Sequence, residues 1–451
     1  MTASEIEPVA TLAKDSSASG EAPDAHAGGA ATSSSSDNKD RKESLTPSSS
    51  ASPDQVDESG LAVGHASLPT DPKAARKAAH SDIFTVFASG AALISDGYQN
   101  GSMTMLNPLF VKRYGSNVYS SEVSTRVSNA LLVGAVIGQI SVGLICDRIG
   151  RKAAILLTTA LLVVGAIFAT GASAINGSTD ALFWWLTVAR GAVGVGVGGE
   201  YPASSVSASE AANEKFGKKQ RSAIFIAVTN VVLSFGTPFA VSMFLLFLSA
   251  TGYSETNEPY DLKRLDITWR LVFGFGALLP CTVFYFRWKM LNSTLYRQGA
   301  IRKNVPYWLV IKFYWRRFIG TAGVWFLYDV VAFANGAFSG SVIATVLSNP
   351  TLKQTGEYQL LVSTIALPGA ILGPIAIGRL GARNQLIIGF VGYIVIGLIV
   401  GAAWERLIHI PVLFVILYGL LASFGNFGPG SVCVSYFLSL TRLFLSSCSS
   451  C

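Results

Sequence analysis

Charged residues are scarce in this chain. Asp, Glu, Lys and Arg make up 14% of its 451 residues while 50% are hydrophobic, a balance that excludes an ordinary soluble domain. Histidine is nearly missing: of four, only His409 lies beyond residue 80. The five cysteines, at 146, 281, 433, 448 and 451, show no paired extracellular spacing. Cys448 and Cys451 form a CxxC, but it stands in a low-complexity end and reads as coincidence. No His/Cys/Asp cluster has metal-ligand spacing, and no glycine loop follows a strand to cradle a nucleotide. No enzyme is therefore expected, and no metal or organic cofactor. A charged-then-apolar leader is also missing ahead of the first long apolar run, so that run is expected to direct membrane insertion itself.

Long apolar runs are what the chain does have. Ten reach membrane-spanning length, about 20 residues each: roughly 83–110, 126–146, 153–175, 181–206, 222–250, 269–288, 317–347, 358–379, 385–403 and 411–430. They predict an all-α, multi-pass membrane protein. Residues 1–80 are instead rich in Ser, Ala, Asp and Pro, with seven basic against twelve acidic side chains. Such a segment buries too little apolar surface to fold and is expected to be a disordered tail. Orientation follows from the connections. Loops 147–152, 207–221, 287–317 and 379–383 hold 17 Lys and Arg, whereas 111–125, 175–181, 251–270, 348–357 and 404–410 hold 7, matched or exceeded by acids. Both termini are thus expected in the cytoplasm. The formal charge of +7 marks topology, and no nucleic-acid partner is expected.

A repeat is also visible. GLICDRIGRK (143–152), after the second span, recurs as GPIAIGRLGARN (373–384) after the eighth, at an offset of 231 residues. Two parallel copies of a six-span unit are expected, a full one at 81–288 and one truncated to four spans at 317–430, joined by the basic connector 289–316. The connector carries apolar and basic residues at helical spacing and predicts one or two amphipathic helices on the inner leaflet.

The stretch Arg190–Ser205, RGAVGVGVGGEYPASS, stands out among the spans. Gly191, Gly194 and Gly198 share one helix face, which lets a neighbouring helix approach closely. Glu200 follows, an ionisable group that faces an internal cavity or else lies solvated at headgroup level. Arg190 is expected to snorkel or to tie two helices together.

Two six-span halves with a DRxGRK turn after the second span resemble the major facilitator superfamily, over about residues 80–430. GVGVGGEYPASS, TAGVWFLYDVVAFANGAF (321–338) and NFGPG (426–430) are similar to the fourth, seventh and tenth spans of its phosphate:proton symporter family. NVPYWLVIKFYWRR followed by WFLYD is most similar to the fungal glycerophosphoinositol permease branch. The resemblance implies a substrate and proton site made of Asp96, Glu200, Tyr201, Trp325, Asp329 and Asn426. Asn230 is the nearest amide to a missing glutamine, and Asn335 is a further candidate. Gln99 stands where phosphate members often have a second acid, and an eleventh-span lysine is absent. These departures favour an organophosphate over inorganic phosphate.

The implied chemistry is symport. In a low-dielectric cavity the charged form of a carboxylate is disfavoured, and a protonated carboxyl can donate to a phosphodiester oxygen that an ionised one would repel. Trp325 and Asp329, at i and i+4, share a face, although Trp325 could equally be an aromatic filler between helices. The loop Asp147, Arg148, Gly150, Arg151 and Lys152 is expected to latch the cytoplasmic side, with Arg379 and Arg383 as a weaker second copy. The expected protein is a proton-coupled, monomeric plasma-membrane transporter of a glycerophosphodiester such as glycerophosphoinositol, its partners being that anion or phosphate, protons and the bilayer. Alternatives are an inorganic phosphate:proton symporter, a sugar porter, or a transport-impaired form acting as a nutrient sensor. The last arises because 431–451 is too short and serine-rich for two more spans. Their loss is expected to bare the inner faces of spans 7, 8 and 10.

Overall fold

The computed structural model describes residues 72–149, 151–215, 223, 226–254, 261–289, 307–347 and 350–432. The tail to residue 71, most of the connector and the end from Cys433 lie outside the described residues. Helix α1 runs Pro72–Tyr114, α2 Ser121–Ile149, α3 Arg151–Thr170 and α4 Thr179–Lys215. A π-helical turn, Ala227–Val231, leads into α5 (Val232–Ala250), and α6 is Leu262–Lys289. The second half holds α7 (Tyr307–Val346), α8 (Leu352–Leu380), α9 (Ala382–Ala402) and α10 (Pro411–Gly425), which ends in a second π-helical turn, Asn426–Gly430. No strand occurs among the described residues.

The repeat is visible in the helix bounds. Ser121 and Leu352 open α2 and α8, each 29 residues long, and Arg151 and Ala382 open α3 and α9. Both pairs of starts differ by 231 (352 − 121 and 382 − 151).

Several boundaries differ from expectation. α1 starts at Pro72, inside the stretch read as tail. α3 stops at Thr170 rather than 175, where an exposed Gly171 turns the chain. The last part of the connector, from Tyr307, is the beginning of α7 rather than a separate surface helix. α8 begins six residues early because Thr351 and Gln354 form a capping box, satisfying two backbone donors reciprocally.

Among the described residues, nine stretches are long and apolar enough to cross a membrane, and α1 is not among them. Its polar side chains are the reason: Ser95, Asp96, Gln99, Ser102, Thr104 and Asn107 all lie buried against other helices. Each half has its own core. Tyr98, Phe110, Phe183, Phe244, Trp269 and Phe273 pack in the first, and Ile343, Val362, Phe414 and Tyr418 in the second. The halves meet where α1 packs on α7 and α5 on α8. Exposure in the second half falls on α7 and α9, which are covered far less than α8 and α10. α8 and α10 pack on one another.

α4 is gripped from two sides. A Cβ on Gly194 or Gly198 would collide with the carbonyl oxygens of Leu131 or Ala135 on α2, and one on Gly196 would lie 2.9 Å from Leu162 of α3. Gly198→Ala is therefore expected to cost about 1–3 kcal/mol of stability through overpacking, read as a lower thermal midpoint of the purified protein. Gly336→Ala, which meets nothing within 4 Å, serves as the neutral control. Equal midpoints for the two variants would show that α2 and α4 are not packed backbone to backbone.

Candidate substrate and proton site

The glycine contacts of α1 and α4 place the acidic groups. Gly97 and Gly101 of α1 press against Leu233, Gly236 and Thr237 of α5. One step round the helix, Tyr98 Oη donates to the Val272 carbonyl at 2.8 Å and Gln99 Nε2 to the Gly276 carbonyl at 3.0 Å, both on α6. Gln99 is thus bound to backbone and does not stand in for an acid. Asp96 is fully buried, and neither of its carboxyl oxygens has a hydrogen-bond partner.

Glu200 is also buried, so the solvated headgroup reading is wrong. Its Oε1 pairs with Arg287 Nη2, and Arg287 Nη1 donates to Thr159 Oγ1 at 2.6 Å. The Arg287 side chain has no exposed surface. Sequence reasoning missed this residue by counting it among the solvated basic residues of the connector. The available signal was its place in the apolar run VFYFRWK, two residues before Lys289, where α6 ends. Asp96 lies within electrostatic reach of both Glu200 and Arg287.

Tyr201 links the two halves of the site. It is half-buried and within electrostatic reach of Asp96, Glu200 and Asp329. Acids of α1, α4 and α7 thus lie within electrostatic reach of one phenol. On α7 the Trp325 side chain hydrogen-bonds Asp329, and Trp325 is 36% exposed, so it is not a filler between helices.

The asparagines are engaged elsewhere. Asn230 Nδ2 donates to Ser431 Oγ at 3.0 Å and to the Asn426 carbonyl at 3.4 Å, bridging the two π-helical turns. Asn426 Nδ2 donates to the Ala366 carbonyl of α8 at 3.3 Å. Asn335 lies between Tyr393 and Tyr418 inside the second half, 3.3 Å from each hydroxyl. Arg190 is buried rather than snorkelling. It ties helices together, its Nε donating to the Val127 carbonyl at 3.1 Å.

Of the latch residues, Gly150 and the side chains of Asp147, Arg148 and Arg151 lie outside the described residues. Lys152 is half-buried in the first turn of α3, and Arg379 and Arg383 are exposed on either side of Gly381.

Comparison with known proteins places this arrangement. The model of the family described as Sugar (and other) transporter matches residues 83–449. The chain belongs to this transporter family of the major facilitator superfamily. The match runs past Gly430, where the resemblance read from motifs stopped. Glycerophosphoinositol transporter 1 of Saccharomyces cerevisiae is 45% identical over 365 residues, covering 80% of this chain and 68% of that protein. Glycerophosphoinositol permease 1 of Candida albicans is 45% identical over 354 residues, covering 78% and 65%. The chain thus spans about two thirds of the length of these relatives. A structure of the xylose transporter XylE from E. coli, in a partially occluded inward open conformation, aligns with a TM-score of 0.57 at 14% identity, covering 81% of this chain and 93% of that one. That likeness establishes the major facilitator fold.

A buried ion pair broken on one side leaves an uncompensated charge, at a cost of about 3–5 kcal/mol. Arg287→Ala is expected to lower the thermal midpoint accordingly, and Glu200→Gln combined with Arg287→Gln to recover most of it. A double variant no more stable than Arg287→Ala would mean that the Arg287 side chain acts through packing alone.

Proposed function

We propose that the chain is a proton-coupled transporter of glycerophosphodiesters, glycerophosphoinositol-like, in the plasma membrane with its N-terminus in the cytoplasm. The observation that carries the reading is that Asp96, Glu200 and Asp329, from three helices, all lie within electrostatic reach of Tyr201. The 45% identity to two glycerophosphoinositol transporters supports the substrate class, and the basic connections support the orientation.

The chemistry follows from charge. An ionised phosphodiester entering beside three acids is repelled unless at least one is protonated. A protonated carboxyl donates a hydrogen bond to it instead, so proton and anion favour each other's binding. Asp96 is suited to hold that proton, because it has no internal partner to compensate its charge. Tyr201 adds a neutral donor on α4, while the single indole N–H of Trp325 holds Asp329 on α7. Parallel halves meeting near the bilayer midplane give such a site access to alternate sides.

The test is uptake of radiolabelled glycerophosphoinositol by proteoliposomes at two external pH values. Uptake is expected to rise with external acidity and to be competed by other glycerophosphodiesters. Asp96→Asn is expected to abolish accumulation against a gradient. Tyr201→Phe, lacking one hydrogen bond to a charged ligand worth ~2 kcal/mol, is expected to raise the half-saturation concentration roughly thirtyfold. Competition by inorganic phosphate alone would transfer the assignment to phosphate symport, and uptake indifferent to pH would remove the proton.

A further inference from the structure

Among the described residues, two arginines of the first half are fully enclosed, and they differ in what they face. Arg190 donates to the Val127 carbonyl and lies 5.9 Å from the centre of the Phe273 ring, and it makes no ion pair with a described residue. Arg287 faces two acids. It pairs with Glu200 while Thr159 holds its other terminal nitrogen, and Asp96 stands within electrostatic reach with both oxygens unpartnered.

One guanidinium compensates one carboxylate. With Asp96 and Glu200 both ionised, this enclosed set would carry one unbalanced negative charge, and like charges in a shared site resolve that by holding a proton between them. Geometry decides which acid takes it. α3, α4 and α6 converge on the Thr159–Arg287–Glu200 chain, so the guanidinium is aimed at Glu200 and held there. Asp96, on α1, receives neither a hydrogen bond nor an ion pair.

Among the described residues, the surroundings of Asp96 hold no further cation. α4 presents Glu200 and Tyr201, α6 presents Arg287, and Asp329 of α7 lies beyond Tyr201. The α5 residues packed on this part of α1, Leu233, Gly236 and Thr237, carry no charge.

We infer that Arg287 is a positioning residue for the exchangeable proton: by holding Glu200 as a carboxylate it assigns the proton to Asp96. The inference deepens the transport reading, on which it rests only for the proton's being coupled to a substrate. It also divides the labour between the two acids. Glu200 with Arg287 is a fixed pair, and Asp96 is the group whose charge changes.

Infrared difference spectroscopy of the full chain in lipid nanodiscs, titrated with acid, reads protonated carboxyl groups without any substrate. The wild-type protein is expected to show a buried carboxylic-acid band that moves in Asp96→Glu, stays in place in Glu200→Asp and disappears in Asp96→Asn. Combining Asp96→Asn with Arg287→Gln is expected to create a new band, that of Glu200 deprived of its counter-ion, which Arg287→Lys in the same background does not create. A wild-type band that shifts in Glu200→Asp, or no new band in the Asp96→Asn, Arg287→Gln chain, overturns the assignment. The Asp96→Glu and Glu200→Asp variants keep every charge, so they decide the question even if the arginine variants do not fold. Absence of glycerophosphoinositol uptake in the wild type would remove the transport reading and leave these bands as informative as before.

Discussion

Backbone-to-backbone contact is the constraint on which this helical bundle depends. In lipid there is no hydrophobic gain from bringing helices together, and close packing through small residues supplies the attraction instead. α4 shows this on two faces, Gly194 and Gly198 toward α2 and Gly196 toward α3, with Gly199 between Val142 of α2 and Thr158 of α3. Because carbonyl groups of α2 occupy the space where side chains would be, α4 can neither rotate nor slide without collision. Glu200 and Tyr201 directly follow the last of these glycines. Their directions are set by that grip: Glu200 goes inward to Arg287, and Tyr201, a hundred degrees round the helix, turns toward the acids of α1 and α7.

α1 is held by a different device. Its polar residues are connectors rather than a solvated face. Tyr98 and Gln99 bond α6, and Asn107 Nδ2 lies 3.1 Å from both Ser128 Oγ of α2 and the Ala337 carbonyl of α7. At its end Arg113 makes a two-pronged bond to Asp266 of α6, 3.0 and 2.7 Å, to which Tyr114 adds a third at 3.1 Å. Buried polar groups almost always find partners, and on this helix most do. Asp96 is conspicuous because neither of its carboxyl oxygens does, a lack it shares with the hydroxyl of the adjacent Ser95. An acid left uncompensated on a helix pinned on every side is a group whose charge, rather than whose position, is free to change.

How much of this could be read beforehand depended on whether the physics was local. The shared face of Gly191, Gly194 and Gly198 follows from helical spacing, and it is the face that α2 covers. The repeat was equally legible, since a 231-residue offset in a ten-residue motif reappears in two pairs of helix starts. Glu200 was found because ionisable groups in apolar runs are few, and Asp96, Tyr201 and Asp329 because the motifs around them resemble those of the phosphate:proton symporter family. Arg287 was not, because counting basic residues treats each one near a helix end as solvated, and only tertiary packing of α3 and α4 shows otherwise. The start of α8 was local and still missed: Thr351 and Gln354 spell a capping box that the apolar pattern alone overlooked.

Asn230 and Asn426 show the opposite kind of failure, in which residue type was informative and backbone geometry was not. Both lie in π-helical turns, Ala227–Val231 and Asn426–Gly430. Such a turn inserts one residue into the helix and frees a carbonyl from the i to i+4 ladder. The Asn426 carbonyl accepts from Ser431 Oγ at 2.7 Å and from Asn230 Nδ2 across the interface between halves. An amide facing a regular helix would have found no acceptor there and would have remained available to a ligand. With the turn present, it finds one in the opposite half. The two asparagines thus join the halves through their backbone irregularities, and separating α5 from α10 at that point requires breaking both of Asn230's bonds. Periodicity cannot anticipate this, since an inserted residue is invisible until the helix has packed.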